Sequence, residues 1–196
     1  MKKSMGIALI ILSGLVALVS AQEKKETGSA PEPKAAAQAD TVRFQKVEPF
    51  HYIALEMIGS YAQHGTAFQT LYQEAGKQGL PMNSAPFGIY WNSPDNTAES
   101  ELKWEIGLAL PDTQKVAAPL KLKKWDFPAA ASITYNGGFG SEVMQKAYQT
   151  LFGWMGGNGY RPAGPIMEKF ITMPTQNEKG EWAGKVEIVM PVEKIK

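Results

Sequence analysis

The chain has 196 residues, enough for one domain or two small ones, and 20 Lys+Arg against 19 Asp+Glu leave a formal net charge of +1. Such a balance argues against a nucleic-acid footprint, which would show as a basic excess or stripe. The absence of cysteine excludes disulfides, a thiolate nucleophile, a Cys-ligated metal and the lipid-anchored kind of export signal, so the fold must be held by packing alone.

In chain order, Lys2 and Lys3 form a short positive start and an uncharged run follows from Ser4 to Gln22, with its apolar heart at Ile7 to Val19. Val19 and Ala21 supply small side chains just before Gln22. The layout reads as a cleavable secretory signal over 1–21, which makes the expected location periplasmic or secreted in a bacterium. Retention of the run as a membrane anchor is the alternative. Residues 22–41 are rich in Glu, Lys, Ala, Pro and Gln, lack aromatic and branched apolar side chains, and read as a disordered tether. The folded part is expected over 42–196, as a monomer without cofactor.

That part reads as two similar strand–helix–strand–strand units, about 42–115 and 116–196. The first opens with the strand Tyr52 to Gly59. A helix from about Thr66 to Lys77 follows, whose Phe68, Leu71, Tyr72 and Ala75 share one face. An aromatic strand, Pro86 to Asn92, leads through Ser93-Pro94-Asp95-Asn96 to the strand Lys103 to Leu110. In the second unit, Trp125 to Tyr135 is predicted as a single strand with Pro128 near its start. Ser141 is the predicted N-cap of a helix from Glu142 to about Trp154, with Val143, Ala147, Tyr148, Leu151 and Phe152 on its face. Strands at Pro165 to Ile171 and Val186 to Val192 close the chain around a turn at Asn177-Glu178-Lys179-Gly180. The repeat is also visible in residues, Phe68-Gln69-Thr70-Leu71-Tyr72-Gln73 against Met144-Gln145-Lys146-Ala147-Tyr148-Gln149. The expected class is α+β: two units packed about a pseudo-twofold axis on an antiparallel sheet, with a ligand cleft where they meet.

The Gly59-Ser60-Tyr61 turn, the strand Phe87-Gly88-Ile89-Tyr90 and the closing pair Gly164 to Ile171 and Lys185 to Val192 stand in the order of a known family. Over roughly 43–194 the chain resembles the GyrI-like, or AraC-type effector-binding, domain family. The resemblance implies a central cleft and a role of the kind its members play. They serve as drug-sensing domains of DNA-binding regulators, as stand-alone binders of toxins or gyrase, or as hydrolases of cyclopropane-bearing genotoxins. It also implies that Glu168 is the family's central cation-binding carboxylate. The chain departs from the pattern at Phe170, where a tyrosine is usual, and at Met173-Pro174, where an Asp is common.

Read from the residues alone, Glu168 alternates with Ile166 and Phe170 on one strand face. A carboxylate there needs a partner, a cationic guest or a raised pKa. An edge-strand Glu facing water or a nearby Lys is the alternative. Glu187 and Glu105 hold equivalent strand positions, and Glu187 could sit beside Glu168 as a second carboxylate. The alternation instead turns Glu187 and Glu105 outward to solvent, with Val186, Ile188 and Met190 inward. Tyr61, Tyr90, Trp91, Trp104, Tyr135, Tyr148, Phe170 and Trp182 are candidates to line a cleft; Phe68, Tyr72 and Tyr148, at helical spacing, belong to the core by default. His51 and His64 each stand alone, which argues against a His-based metal site. The expected function is binding of a cationic or amphipathic aromatic compound through Glu168, Phe170, Tyr90, Tyr61, Trp104, Tyr135 and Glu187. A Glu168-dependent hydrolase of small electrophilic toxins and a non-catalytic envelope accessory are the alternatives.

Overall fold

The structure, a computed structural model, describes residues 41–138, 140–172, 175–176 and 182–196, without the side chains of 182 and 183. The expected signal and tether up to residue 40, Met173-Pro174, the turn at 177–180 and the Trp182 ring lie outside this description.

Among the described residues the strands are β1 (Arg43–Lys46), β2 (Phe50–Ile58), β3 (Phe87–Tyr90), β4 (Lys103–Leu110), β5 (Lys121–Trp125), β6 (Ala129–Gly137), β7 (Tyr160–Pro162), β8 (Ile166–Phe170), β9 (Thr175–Gln176) and β10 (Trp182–Lys194). The helices are α1 (His64–Lys77) and α2 (Glu142–Gly157). Eight strands lie side by side in the order β1-β6-β10-β8-β3-β4-β2-β5, all antiparallel, and β7 and β9 pair with β10. The protein is therefore α+β, as its sequence predicts.

One predicted strand is in fact two. Trp125 ends β5, which pairs with β2, whereas Ala129 begins β6, which pairs with β1 and β10. Pro128 separates them: it has no N–H to give to a ladder, and its carbonyl accepts from Val47 N at 3.0 Å. That bond continues the β1–β6 ladder past Lys46 and Ala129. Trp125 of β5, at one end of the strand order, and Ala130 of β6, next to the other end, then meet in one apolar cluster with Tyr52, Ala54, Phe87, Ile89, Met167 and Val189. The sheet curls on itself and encloses this inner core. The central strands thus have both faces covered, which is why β2 and β4 read as nearly continuous apolar runs.

The helices cover the outer face. α1 buries Ala67, Leu71 and Ala75 against Ile53, Leu55, Ile106 and Leu108. α2 buries Ala147, Leu151 and Met155 against Ile133, Val186, Ile188 and Met190. Each buried set is spaced by four residues and centres the face one residue or so from where the sequence places it. Ser141 caps α2 as predicted, accepting from Met144 N at 3.3 Å. α1 starts two residues before the predicted Thr66, because a single 3-10 turn over Tyr61–Gln63 feeds directly into His64. Phe68 of α1 belongs to both helix-side clusters and meets the Phe170 ring edge-on, centroids 5.4 Å apart.

Candidate functional site

The two central strands, β3 and β8, pair with Gly88 opposite Glu168. On its other side Glu168 lies opposite Ile188 of β10. Strand alternation thus sends Glu168 and Phe170 to the helix-bearing face, with Glu168 only 6 % exposed. Among the described residues no Lys or Arg forms an ion pair with it. Its neighbours are hydroxyls. Tyr148, projecting from α2, donates to Glu168 Oε1 at 2.5 Å. The Tyr90 hydroxyl lies on the same side, over Gly88, the register partner of Glu168.

Gly88 is what lets Tyr90 arrive. Tyr90 lies two residues along on the same face, and its ring folds back over the Gly88 Cα; a Cβ there would fall 2.5 Å from the hydroxyl oxygen. A glycine opposite the acid therefore makes room for a tyrosine beside it. Part of Tyr90 remains open to solvent, but its hydroxyl is enclosed, and burial with the nearby Glu168 charge drives its pKa well up.

Tyr61 enters from the turn after β2. Gly59 makes that turn with φ +100°, a left-handed conformation that suits glycine. The Tyr61 hydroxyl donates to the Asn92 carbonyl at 2.7 Å, and its ring lies edge-on to Tyr90 and Trp104 at 5.1 and 5.8 Å. Trp104 is a buried wall rather than a free platform, its indole N–H donating to the Gly59 carbonyl at 3.0 Å. Tyr135 of β6 is 1 % exposed, and its hydroxyl oxygen has no hydrogen-bond partner among the described residues. Burial, then the Glu168 charge, raises its pKa. Phe170 is buried beside Phe68.

Burial raises the Glu168 pKa above the ordinary carboxylate range, while the hydrogen bond from Tyr148 and the nearby Tyr90 hydroxyl oppose the rise. An acid so placed is costly to ionise alone and well suited to a guest that brings positive charge.

Sequence reasoning and geometry differ at several positions. Glu187 does not join Glu168: its register partners are Thr134 and Lys169, on the opposite face, because it stands one residue from Ile188, Glu168's own partner. Glu105 does not face solvent either. It lies on the inner face, 1 % exposed, accepting from the Tyr52 hydroxyl at 2.7 Å and paired with Lys123. Alternation gave the correct face, but only the curl of the sheet covers it. Tyr148, assigned to the core by its spacing, is a direct partner of Glu168 because its ring reaches past the helix face. Trp91 points away and is 54 % exposed.

His64 was missed. Its Nδ1 contacts the Tyr61 carbonyl oxygen, its Nε2 lies 2.9 Å from the Tyr90 hydroxyl, and its ring packs on Trp104 at 4.4 Å. A lone histidine at a helix start carries no local signature for this; its spacing from Phe68, one turn ahead on the same face, is the only hint. Among the described residues no group of three or more His, Asp or Glu side chains could hold a metal ion.

The family model described as GyrI-like small molecule binding domain matches residues 40–193. No curated protein matches the sequence. Among solved structures, the EcmrR–DNA complex is similar with 21 % identity and a TM-score of 0.62, over 84 % of this chain and 60 % of that longer one. The EcmrR C-terminal domain alone is similar with 20 % identity and a TM-score of 0.60, over 82 % of this chain and 99 % of that one. An uncharacterised conserved protein from Listeria innocua has 14 % identity and a TM-score of 0.62, over 78 % of this chain and 92 % of that one. At these identities the likeness is one of fold.

Proposed function

Since the chain belongs to the GyrI-like small-molecule-binding domain family, we propose that it binds a monocationic, amphipathic aromatic compound against Glu168. The observation that carries this reading is the acid itself: nearly buried, surrounded by the hydroxyls of Tyr148 and Tyr90, and without a basic partner among the described residues. Ring faces of Tyr61, Tyr90 and Phe170 offer the apolar and cation–π contacts such a guest needs. The unpartnered Tyr135 hydroxyl supplies one further polar contact on the same face. The signal-like pattern over 1–21 supports placing this activity in the periplasm or outside the cell, and N-terminal sequencing of the mature protein should then begin at Gln22.

Tetraphenylphosphonium, a fixed-charge aromatic cation with no proton to exchange, tests the reading. Calorimetry should show saturable binding to the protein. Glu168→Gln should weaken it by about 2–5 kcal/mol, roughly 30-fold to several-thousand-fold. Equal affinity in wild type and variant, or no binding to either, would sink the proposal.

A further inference from the structure

His64 stands at the start of α1, and each of its ring nitrogens meets an oxygen. The Tyr61 carbonyl oxygen already takes the His64 backbone N–H and can only accept, so the Nδ1 that contacts it carries a hydrogen. In a neutral imidazole Nε2 is then a bare lone pair, and the Tyr90 hydroxyl, 2.9 Å away, donates to it. The Trp104 ring packs on the imidazole with centroids 4.4 Å apart, and Phe68 follows one turn along α1 at 6.4 Å. The Tyr90 hydroxyl oxygen in turn lies 2.5 Å from where a Gly88 Cβ would stand. Gly88 and Glu168 are partners across the antiparallel β3–β8 ladder, and the Cβ positions of such partners are about 4.5–5.5 Å apart. The Tyr90 oxygen is thus a neighbour of the Glu168 side chain, on the side from which His64 holds it.

We propose that His64 is a positioning residue for the cation: neutral, it draws the Tyr90 hydrogen to itself and leaves an oxygen beside the guest, and protonated, it opposes binding. The first state turns the negative end of the Tyr90 O–H dipole toward a cation held by Glu168. In the second, both ring nitrogens donate. Nε2–H then takes the Tyr90 oxygen, the Tyr90 hydrogen turns away from His64, and a like charge stands one hydroxyl from the acid. Burial favours the neutral state by lowering the His64 pKa, while the Tyr61 carbonyl opposes the fall. The groups that face the ring are Tyr61 from the turn before α1, Tyr90 from β3, Trp104 from β4 and Phe68 from α1 itself. Among the described residues no carboxylate pairs with it. Burial raises the Tyr61 and Tyr90 hydroxyls, so both stay neutral while His64 titrates, and Glu168 of β8 is the acid beyond Tyr90. Acid therefore weakens cation binding in two ways, through the proton Glu168 takes up and through His64, and the second is read on the imidazole alone.

The role of His64 rests on Glu168 being the cation's partner, and its failure is distinguishable from the failure of that reading. In ¹⁵N-labelled protein the imidazole nitrogens are followed by NMR across pH, with and without saturating tetraphenylphosphonium, and His64→Phe assigns the signals. Free wild type with His64 neutral should show the hydrogen on Nδ1. The hydrogen on Nε2 instead would overturn the proposal before any ligand is added. Saturating cation should lower the His64 titration by about one pH unit, which by reciprocity is about tenfold weaker binding to the protonated form. His51, at the opposite end of β2 from the Gly59 turn, should not move. In Tyr90→Phe only the repulsion between charges is left, and the difference should shrink to about threefold. A full tenfold effect there would take Tyr90 out of the proposal and overturn it. Tetraphenylphosphonium that binds without moving the His64 titration overturns the role of His64 and leaves the binding reading intact. Absence of binding at every pH overturns both.

Discussion

Two of the described glutamates are buried, and they differ in what surrounds them. Glu105, on the inner face, holds Lys123 and the Tyr52 hydroxyl, and Lys123 reaches on to Glu56 at 2.6 Å. Burial alone would lower the Lys123 pKa, but its hydrogen bonds to Glu105 and Glu56 raise it instead. Glu168, on the outer, helix-bearing face, takes the Tyr148 hydroxyl and has no basic partner among the described residues. The first acid brings its own cation and is complete as folded. The second is satisfied only when neutral, or when a positive charge arrives. Burial by itself therefore does not mark a binding site; burial without a counter-charge does.

The sharpest way to break this contrast is to make Glu105 resemble Glu168. Lys123→Met strands a fully buried carboxylate, and thermal or urea unfolding should show a loss of about 3–5 kcal/mol. A loss below about 1 kcal/mol would mean that Glu105 tolerates isolation as Glu168 does and that the contrast is not electrostatic. Next in size is Tyr148→Phe, which removes a donor to the ionised form of Glu168. Cation affinity should fall by about 1.5–3 kcal/mol while the fold stays intact, and an unchanged affinity would remove Tyr148 from the site.

Third is the pH dependence of stability. The folded-state pKa of Glu168 is raised, so above the ordinary carboxylate range the folded state binds more protons than the unfolded state. The stability this group contributes is present at low pH and lost as pH rises through the folded pKa. Wild type should lose stability relative to Glu168→Gln from about pH 5 upward, by at most about 1.4 kcal/mol per pH unit. Parallel profiles for the two proteins would show that Glu168 is ionised in the free fold. The smallest effect is expected for Tyr135→Phe. Removing a hydroxyl that has no partner among the described residues should leave stability unchanged or raise it by up to about 1 kcal/mol, whereas a clear loss would reveal a partner for that hydroxyl.

Much of the fold was legible. Helical spacing located both helices, because one face of each buries a four-residue repeat, and Ser141 marked the start of α2. Strand alternation placed Glu168 on a face with Phe170 and turned Glu187 to the other. The division of Trp125 to Tyr135 was not legible. Pro128 signalled a weak strand start, but the exchange of β1 and β5 between the units depends on contacts made far along the chain. The burial of Glu105 was hidden for the same reason, since polar alternation looks identical whether the outward face meets water or a curled sheet.

By itself the sequence determined the α+β class, the two helices and their buried faces, and the single acid among apolar neighbours on β8. These depend on spacing within a few residues, where backbone geometry fixes which side chains share a face. Only the tertiary structure decided that Tyr148, Tyr90 and His64, from α2, β3 and α1, converge around Glu168, and that Lys123 goes to Glu105 instead. Those choices follow from strand order and sheet curl, which bring together residues far apart in the chain, and no local pattern encodes them.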